Sequence, residues 1–372
     1  EGTVVYHLQV GGGAATFGPG SAFPEDVRME QTWDTAAGVA TGELNAQEAF
    51  IKGRILLTGS QQKLVDSQPV FAALDAVLTS VRERTEYRRA RGPVVPELPE
   101  VQAHAERLTQ QFRGAVLEKF VPFNFTALKT AAPRPQAAYG AALPGVSRRG
   151  KYLLLDFGPI HFVIHLMQGG RLLVDDKQSP KPRNGQARFV FAAGPALLLT
   201  EAGKERRAGV WCVATEALDG PPLDRLGPDA QDYTPASLAA AFAADNMRVH
   251  GFLRNQRHIA GLGRMLANEV CHRAKLSPFA MTGKLGVDGA TRVLEAVHEA
   301  IDDGLRYERT RTDMSSSADR PGRVHNRVGL PCPVCDDTIR SVSYSGYTVA
   351  YCPTCQTAGK VLADYTTSKF LK

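Results

Sequence analysis

No stretch of the 372 residues is apolar for long enough to cross a bilayer. The longest apolar runs, 152–157 and 162–167, fall far short of the roughly 20 residues that a spanning helix needs. No basic patch followed by an apolar segment opens the chain, so no secretory leader is expected, and a first residue Glu rather than Met fits a fragment. No low-complexity tract dominates, and 43% hydrophobic with 22% charged residues is ordinary for a soluble globular protein. Cysteine is scarce: there are six, four in two pairs near the C-terminus, with Cys212 and Cys271 standing alone. That clustering points to a metal site in a reducing compartment and not to a disulfide framework.

The length suffices for two or three domains, each burying its own core. The net charge of +6 is unevenly placed. Residues 1–87 hold 6 Lys/Arg against 11 Asp/Glu, a net of −5, and residues 88–372 hold 38 against 27, a net of +11. The basic section suits a polyanionic partner and the acidic section does not.

Residues 1–87 read as one α+β unit, with strands expected at 3–10 and 54–58 and helices at 43–52 and 67–86. In the last of these, Val70, Leu74, Val77, Leu78 and Val81 share one helical face. Arg88-Arg89-Ala90-Arg91-Gly92-Pro93 has no periodicity and reads as a linker, giving a boundary segment of 88–95. A helix is expected over 101–112. Short apolar segments at 152–157, 162–167, 171–174, 187–191, 196–200 and 210–215 predict an antiparallel sandwich or barrel. Thr234 as N-cap before Pro235 predicts a helix to Asp245, and further helices are expected over 263–274 and 289–304. The polar, aperiodic stretch 311–323 predicts a mobile loop.

Cys332-x-x-Cys335, sixteen residues, then Cys352-x-x-Cys355 place four thiolates around one tetrahedral zinc, with Zn–S near roughly 2.3 Å. Four Cys leave no open position, so the expected zinc is structural. It would close a hairpin that so short a segment could not otherwise stabilise. The motif alone also fits zinc ribbons of transcription, translation or ligase proteins.

Six segments occur in order: PELPEVQ (96–102), RRGKYLLLDF (148–157), HLMQGGRL (165–172), LGPDA (226–230), LRNQRHIAGLGRMLANEVCHRAKLSP (253–278) and CPVCDDTIRSVSYSGYTVAYCPTCQ (332–356). Together they resemble the formamidopyrimidine-DNA glycosylase/endonuclease VIII family over 96–372, with an ending similar to an actinobacterial-type branch. WDTAAGVATGELNAQEAFIKGRILLTG (33–59) resembles the C-terminal part of a sterol-carrier-protein-type-2 domain, which encloses an apolar lipid tunnel. The resemblances imply a multidomain α+β chain. A lipid-carrier-like unit (1–87) is followed by a β-sandwich (96–220), a helix–two-turns–helix module (221–310) and a zinc hairpin (324–372). They imply base-excision repair by a monomer acting on double-stranded DNA that carries a damaged base or abasic site. The location would be the bacterial cytoplasm, at the nucleoid, with a lipid ligand possible only for 1–87.

By that resemblance Pro96 is the nucleophile that attacks the sugar C1′, Glu97 the proton shuttle, Glu100 a supporting carboxylate and Lys151 a lysine reaching the DNA near the lesion. Gln168 stands where many members have a Met that fills the gap left by the flipped base. Arg264 stands for a usual Asn at a phosphate contact, His250 for a common Lys, and Tyr347 for a DNA-contacting Arg. Arg206 and Arg207 are expected DNA contacts from a basic loop, with a solvated loop as the plainer alternative. The nucleotide must leave the stack, which costs a few kcal/mol and least for damaged bases.

Pro96 is internal to this chain, so its nitrogen is a tertiary amide, neither basic nor nucleophilic. Several readings follow. The working protein begins at Pro96, Val95 standing where an initiator Met would be and its codon serving as an alternative start. Otherwise the fusion is a damaged-DNA binder without lyase activity, or Glu97 activates water with no covalent step. A lipid-carrier fusion is the remaining class.

Overall fold

The computed structural model describes residues 5–11, 14–40, 49–50, 53–66, 95–203, 206–314, 320–344 and 347–363. Two compact units divide it, 1–92 and 93–372. In the first, β1 (Tyr6–Gly11) pairs antiparallel with β2 (Ala14–Pro19), and β3 (Val27–Gln31) with β4 (Ile55–Gly59). Helices α1 (Trp33–Ala40) and α2 (Gln61–Asp66) complete its described elements. The helix expected at 67–86, most of that at 43–52 and most of the 88–95 segment lie outside the described residues.

The second unit opens with α3 (Leu98–Phe112), with Pro99 in its first turn. Eight strands follow: β5 (Leu117–Pro122), β6 (Val146–Arg149), β7 (Tyr152–Asp156), β8 (Ile160–His165), β9 (Gly170–Asp175), β10 (Gly185–Phe191), β11 (Ala196–Glu201) and β12 (Gly209–Ala214). They form two four-stranded antiparallel sheets, in the orders β5-β10-β11-β9 and β12-β8-β7-β6. Phe120 and Phe189 of one sheet meet Phe162 of the other at centroid distances of 5.5 and 5.1 Å, so the sheets share one core. This is the sandwich that the apolar segments predict. β5 and β6 escaped the sequence reading: β5 (LEKFVP) buries only two of its six side chains, too weak an alternation to read.

The helical lobe comprises α4 (Pro235–Ala244), α5 (Val249–Arg254), α6 (Arg264–Arg273) and α7 (Gly286–Arg309). Thr234 caps α4 as expected, its hydroxyl accepting from Ser237 N at 3.1 Å. α7 is longer at both ends than the expected 289–304 and keeps a buried apolar face throughout. The zinc hairpin is β13 (Arg340–Tyr344) paired with β14 (Tyr347–Tyr351), then α8 (Pro353–Thr357). α3 belongs to both cores: Val101, Leu108 and Phe112 sit in the sandwich, Leu98 in the helical lobe. Among the described residues no helix is long and apolar enough to cross a membrane.

Candidate active site and zinc centre

Pro96 and Glu97 immediately precede α3 and are buried. The Glu97 carboxylate crosses to the start of α6, accepting from Met265 N and Leu266 N, each at 2.9 Å. A helix N-terminus is a natural anion seat, with free N–H groups and the positive end of the dipole. Gly263 makes the approach possible, because a Cβ there would lie 2.3 Å from Glu97 Oε1. The backbone is tied at the same place, Leu98 N donating to the Gly261 carbonyl at 2.9 Å.

Glu100, one turn into α3, accepts from Glu97 N at 3.0 Å. Its other oxygen lies 3.0 Å from Arg320 Nη1, with both side chains buried. Burial pushes the Glu100 carboxyl up to about 7, against the opposing pull of Arg320, with Glu97 and Glu308 adding to the rise. Arg320 overturns part of the reading of 311–323 as a mobile loop. It is only 5% exposed and also donates to Met265 Sδ at 3.1 Å, so an ion pair holds one end of that stretch inside the protein.

Lys151 is the second residue of the two-residue turn joining β6 to β7, with Gly150 at φ +57° as the first. Asp229, in LGPDA, fastens this turn. Arg148 donates to both its oxygens, at 2.6 and 3.1 Å, and Gly150 N donates to it at 3.0 Å. Burial lowers the Lys151 pKa, while Glu97 and Glu100 act to raise it and Arg254 to lower it. His165 is pushed down to about 4, by burial first and by Lys151 second. Glu97, Glu100 and Lys151 are thus one electrostatic cluster.

Gln168 is exposed, just after Met167 at φ +51°. The two glycines that follow are sterically required: a Cβ on Gly169 would lie 2.4 Å from the Ala202 carbonyl, and one on Gly170 2.1 Å from that of Leu166. Ala202 N donates to the Gly169 carbonyl at 3.2 Å, so the Gln168 loop adjoins the loop bearing Arg206 and Arg207, both exposed. Buried Glu201 closes that second loop by accepting from Ala208 N at 2.8 Å. Arg264, first residue of α6, is exposed. Tyr347 begins β14, and its side chain lies outside the described residues.

His250 requires a correction. It is 2% exposed and its Nε2 lies 2.9 Å from Asn268 Oδ1. Asn268 Nδ2 in turn lies 2.8 Å from His325 Nδ1. Burial pushes His250 down to about 3, which keeps the ring neutral. The structure therefore places it inside the helical lobe instead of on a DNA-facing surface.

The four expected metal ligands converge. Cys332 Sγ lies 3.9 Å from Cys355 Sγ, and Cys335 Sγ lies 3.4 Å from both Cys352 Sγ and Cys355 Sγ. A tetrahedron with Zn–S of roughly 2.3 Å has edges of about 3.8 Å, so the spacing fits one zinc. Sequence reasoning missed His272. From the last turn of α6 its Nε2 approaches Cys332 Sγ to 3.3 Å, and it joins Cys332, Cys352 and Cys355 in a group whose ligand atoms lie within 4.8 Å of one another. Gln356 ties the finger to the helical lobe, accepting from Cys352 N at 2.8 Å and donating to the Leu276 carbonyl at 2.9 Å. Glu269, also on α6, accepts from Arg323 N, Val324 N and His325 N at 2.8–3.0 Å. Asp229, Glu269 and His272 lie inside the segments LGPDA and 253–278 and Arg320 in none, but the partners of all four lie far along the chain, so their roles could not be read locally.

The formamidopyrimidine-DNA glycosylase N-terminal domain matches residues 95–211, and the zinc finger found in FPG and IleRS matches 329–358. An uncharacterized formamidopyrimidine-DNA glycosylase-like protein of Mycobacterium tuberculosis is 44% identical over 156 residues, 41% of this chain and 99% of that protein. The formamidopyrimidine-DNA glycosylase of Pelotomaculum thermopropionicum is 30% identical over 276 residues, 70% of this chain and 99% of that enzyme. Among solved structures, a Lactococcus lactis FPG mutant in complex with Fapy-dG-containing DNA shares the fold. Its TM-score is 0.64 at 21% identity, covering 70% of this chain and all of that one. The alignment thus runs through the carboxylate cluster and on to the zinc hairpin, and the chain belongs to the formamidopyrimidine-DNA glycosylase family.

Proposed function

We propose that residues 96–372 carry out base-excision repair, removing oxidised bases from double-stranded DNA and cutting the strand at the resulting abasic site. The observation that carries this reading is the convergence of Glu97, Glu100 and Lys151 beside Pro96, with the Glu97 carboxylate seated on α6 of the helical lobe. In a chain that begins at Pro96, the secondary amine, with an ordinary α-amino pKa of about 8, is partly neutral at working pH. It attacks C1′, the base leaves and a Schiff base forms. Glu97, held by α6 yet with lone pairs to spare, moves the protons that open the sugar. Glu100 aligns the Glu97 backbone through its hydrogen bond. Gln168, Arg206, Arg207 and Arg264 face solvent and are the candidate DNA contacts, Gln168 at the gap left by the flipped base. Zinc holds the hairpin closed and takes no part in the chemistry.

The functional segments proposed are a β-sandwich over 96–220, a helix–two-turns–helix module over 221–310 and the zinc hairpin over 324–372. The protein acts as a monomer in the bacterial cytoplasm. For residues 1–87 we infer a partial sterol-carrier-like domain with an apolar ligand. The support is the resemblance at 33–59 and the number of large apolar side chains left in solvent, among them Phe17 at 72% and Phe23 at 100% exposure.

A protein made to begin at Pro96 tests the enzymatic reading. It should cleave DNA that contains an oxidised base or abasic site, and borohydride should fix it covalently through the Pro96 nitrogen. A folded, DNA-binding preparation that does neither would overturn the reading.

A further inference from the structure

In the 372-residue chain, Val95 acylates the Pro96 nitrogen, and the site loses the secondary amine on which the proposed chemistry depends. A second amine is built into the same place. The turn that carries Lys151 is pinned by Asp229 through Gly150 N and both ends of the Arg148 guanidinium. A Cβ on Gly150 would lie 3.2 Å from Ala260 Cβ and 3.7 Å from Gly261 N. The Gly261 carbonyl in turn accepts from Leu98 N at 2.9 Å, two residues beyond Pro96. The lysine is therefore carried on a pinned hairpin that packs close to Ala260 and Gly261, the segment that also holds Leu98.

We propose that Lys151 supplies the nucleophilic amine for abasic-site cleavage in the uncut 372-residue chain. This rests on the reading of the Glu97–Glu100 cluster as a lesion-processing site. Burial favours the neutral, nucleophilic form of Lys151. Neutral Nζ adds to the C1′ aldehyde of the ring-opened deoxyribose, and with one proton taken up from solvent the loss of one water leaves a protonated imine. Glu97 takes a C2′ proton, the C3′–O bond breaks, and the 3′ phosphate departs with the bonding electrons. One water then hydrolyses the conjugated imine and restores the lysine, so the cycle needs no oxidant or reductant. Intact damaged bases are poorer substrates for this route than open abasic sites, because the aldehyde must already be exposed.

The 372-residue chain, incubated with an abasic-site duplex and sodium borohydride, tests the proposal. We expect a covalent adduct that peptide mass mapping places on Lys151. It should be lost in Lys151→Arg, which keeps the positive charge, at duplex concentrations where a gel shift shows the variant to be bound. A chain that binds the duplex but gives no adduct, or an adduct that Lys151→Arg leaves unchanged, overturns the proposal. Failure to bind abasic DNA at all would sink the site reading, and this proposal with it.

Discussion

Replacing Glu97 with Gln has two separable effects, because the carboxylate is both the proposed proton shuttle and a bolt between the two lobes. Its oxygens accept from Met265 N and Leu266 N at 2.9 Å in a buried setting. Gln keeps one acceptor oxygen but turns its NH₂ against the other backbone N–H. One charge-assisted hydrogen bond is lost, together with the negative charge at the α6 N-terminus, a destabilisation of about 2–4 kcal/mol. For a unit of this size that lowers the melting temperature by roughly 3–7 °C. The assay is differential scanning calorimetry of wild type and Glu97→Gln, alongside base-excision and DNA-binding measurements at a temperature where both are folded. We expect excision to vanish and the melting temperature to drop. Gly263→Ala, which forces a methyl group onto the same carboxylate, should reproduce the stability loss. A Glu97→Gln protein melting within about 1 °C of wild type would refute the anchoring argument.

Cys352→Ser should lose both zinc, measured as metal per chain, and DNA binding; a metal-free preparation that binds DNA normally would contradict the structural role of the finger. DNA affinity should fall about a hundredfold between 50 and 200 mM salt if four phosphates are neutralised, and residues 96–372 alone should bind as tightly as the whole chain. Burial holds His104 down at about 4 and hence neutral when folded, while the unfolded ring binds a proton near its ordinary value of 6.5. The unfolded state therefore takes up more protons between pH 6.5 and 4, and stability falls as pH drops through that window. His104→Gln, whose amide can still donate to the Leu172 carbonyl, should move the acid-unfolding midpoint to lower pH; an unmoved midpoint would show that His104 is not responsible. A fluorescent fatty acyl probe should bind residues 1–87, and a folded fragment that binds none would leave the apolar side chains there as ordinary core and surface.

Periodicity and spacing made much of the second unit legible. Apolar segments predicted six of the sandwich's eight strands, Thr234-Pro235 marked a helix start, and two CxxC knuckles announced the metal. These features are written in short windows. What stayed hidden are pairings between distant residues: Arg320 with Glu100, Asp229 with Arg148, Glu269 with the 323–325 backbone, His272 with Cys332. Arg320 shows why. In the sequence it sits among serines and charges and reads as solvated, and only a buried carboxylate from the first turn of α3 makes its position favourable. His250 fails in the opposite direction. Its place in the family pattern suggested a surface role, but Asn268 offers a buried partner that composition could not reveal.

The seating of Glu97 by α6 also sets a schedule for synthesis. Its two partners lie 168 and 169 residues further along the chain. At roughly 5–20 residues per second, about 8–34 s pass between translation of the acid and translation of the helix that receives it. The sandwich core of α3 and β5–β12 is complete before then, since it draws almost entirely on residues up to Cys212. A nascent chain can therefore own a folded first lobe while the Glu97 carboxylate is still unseated, and the proposed site is incomplete until the far lobe has emerged.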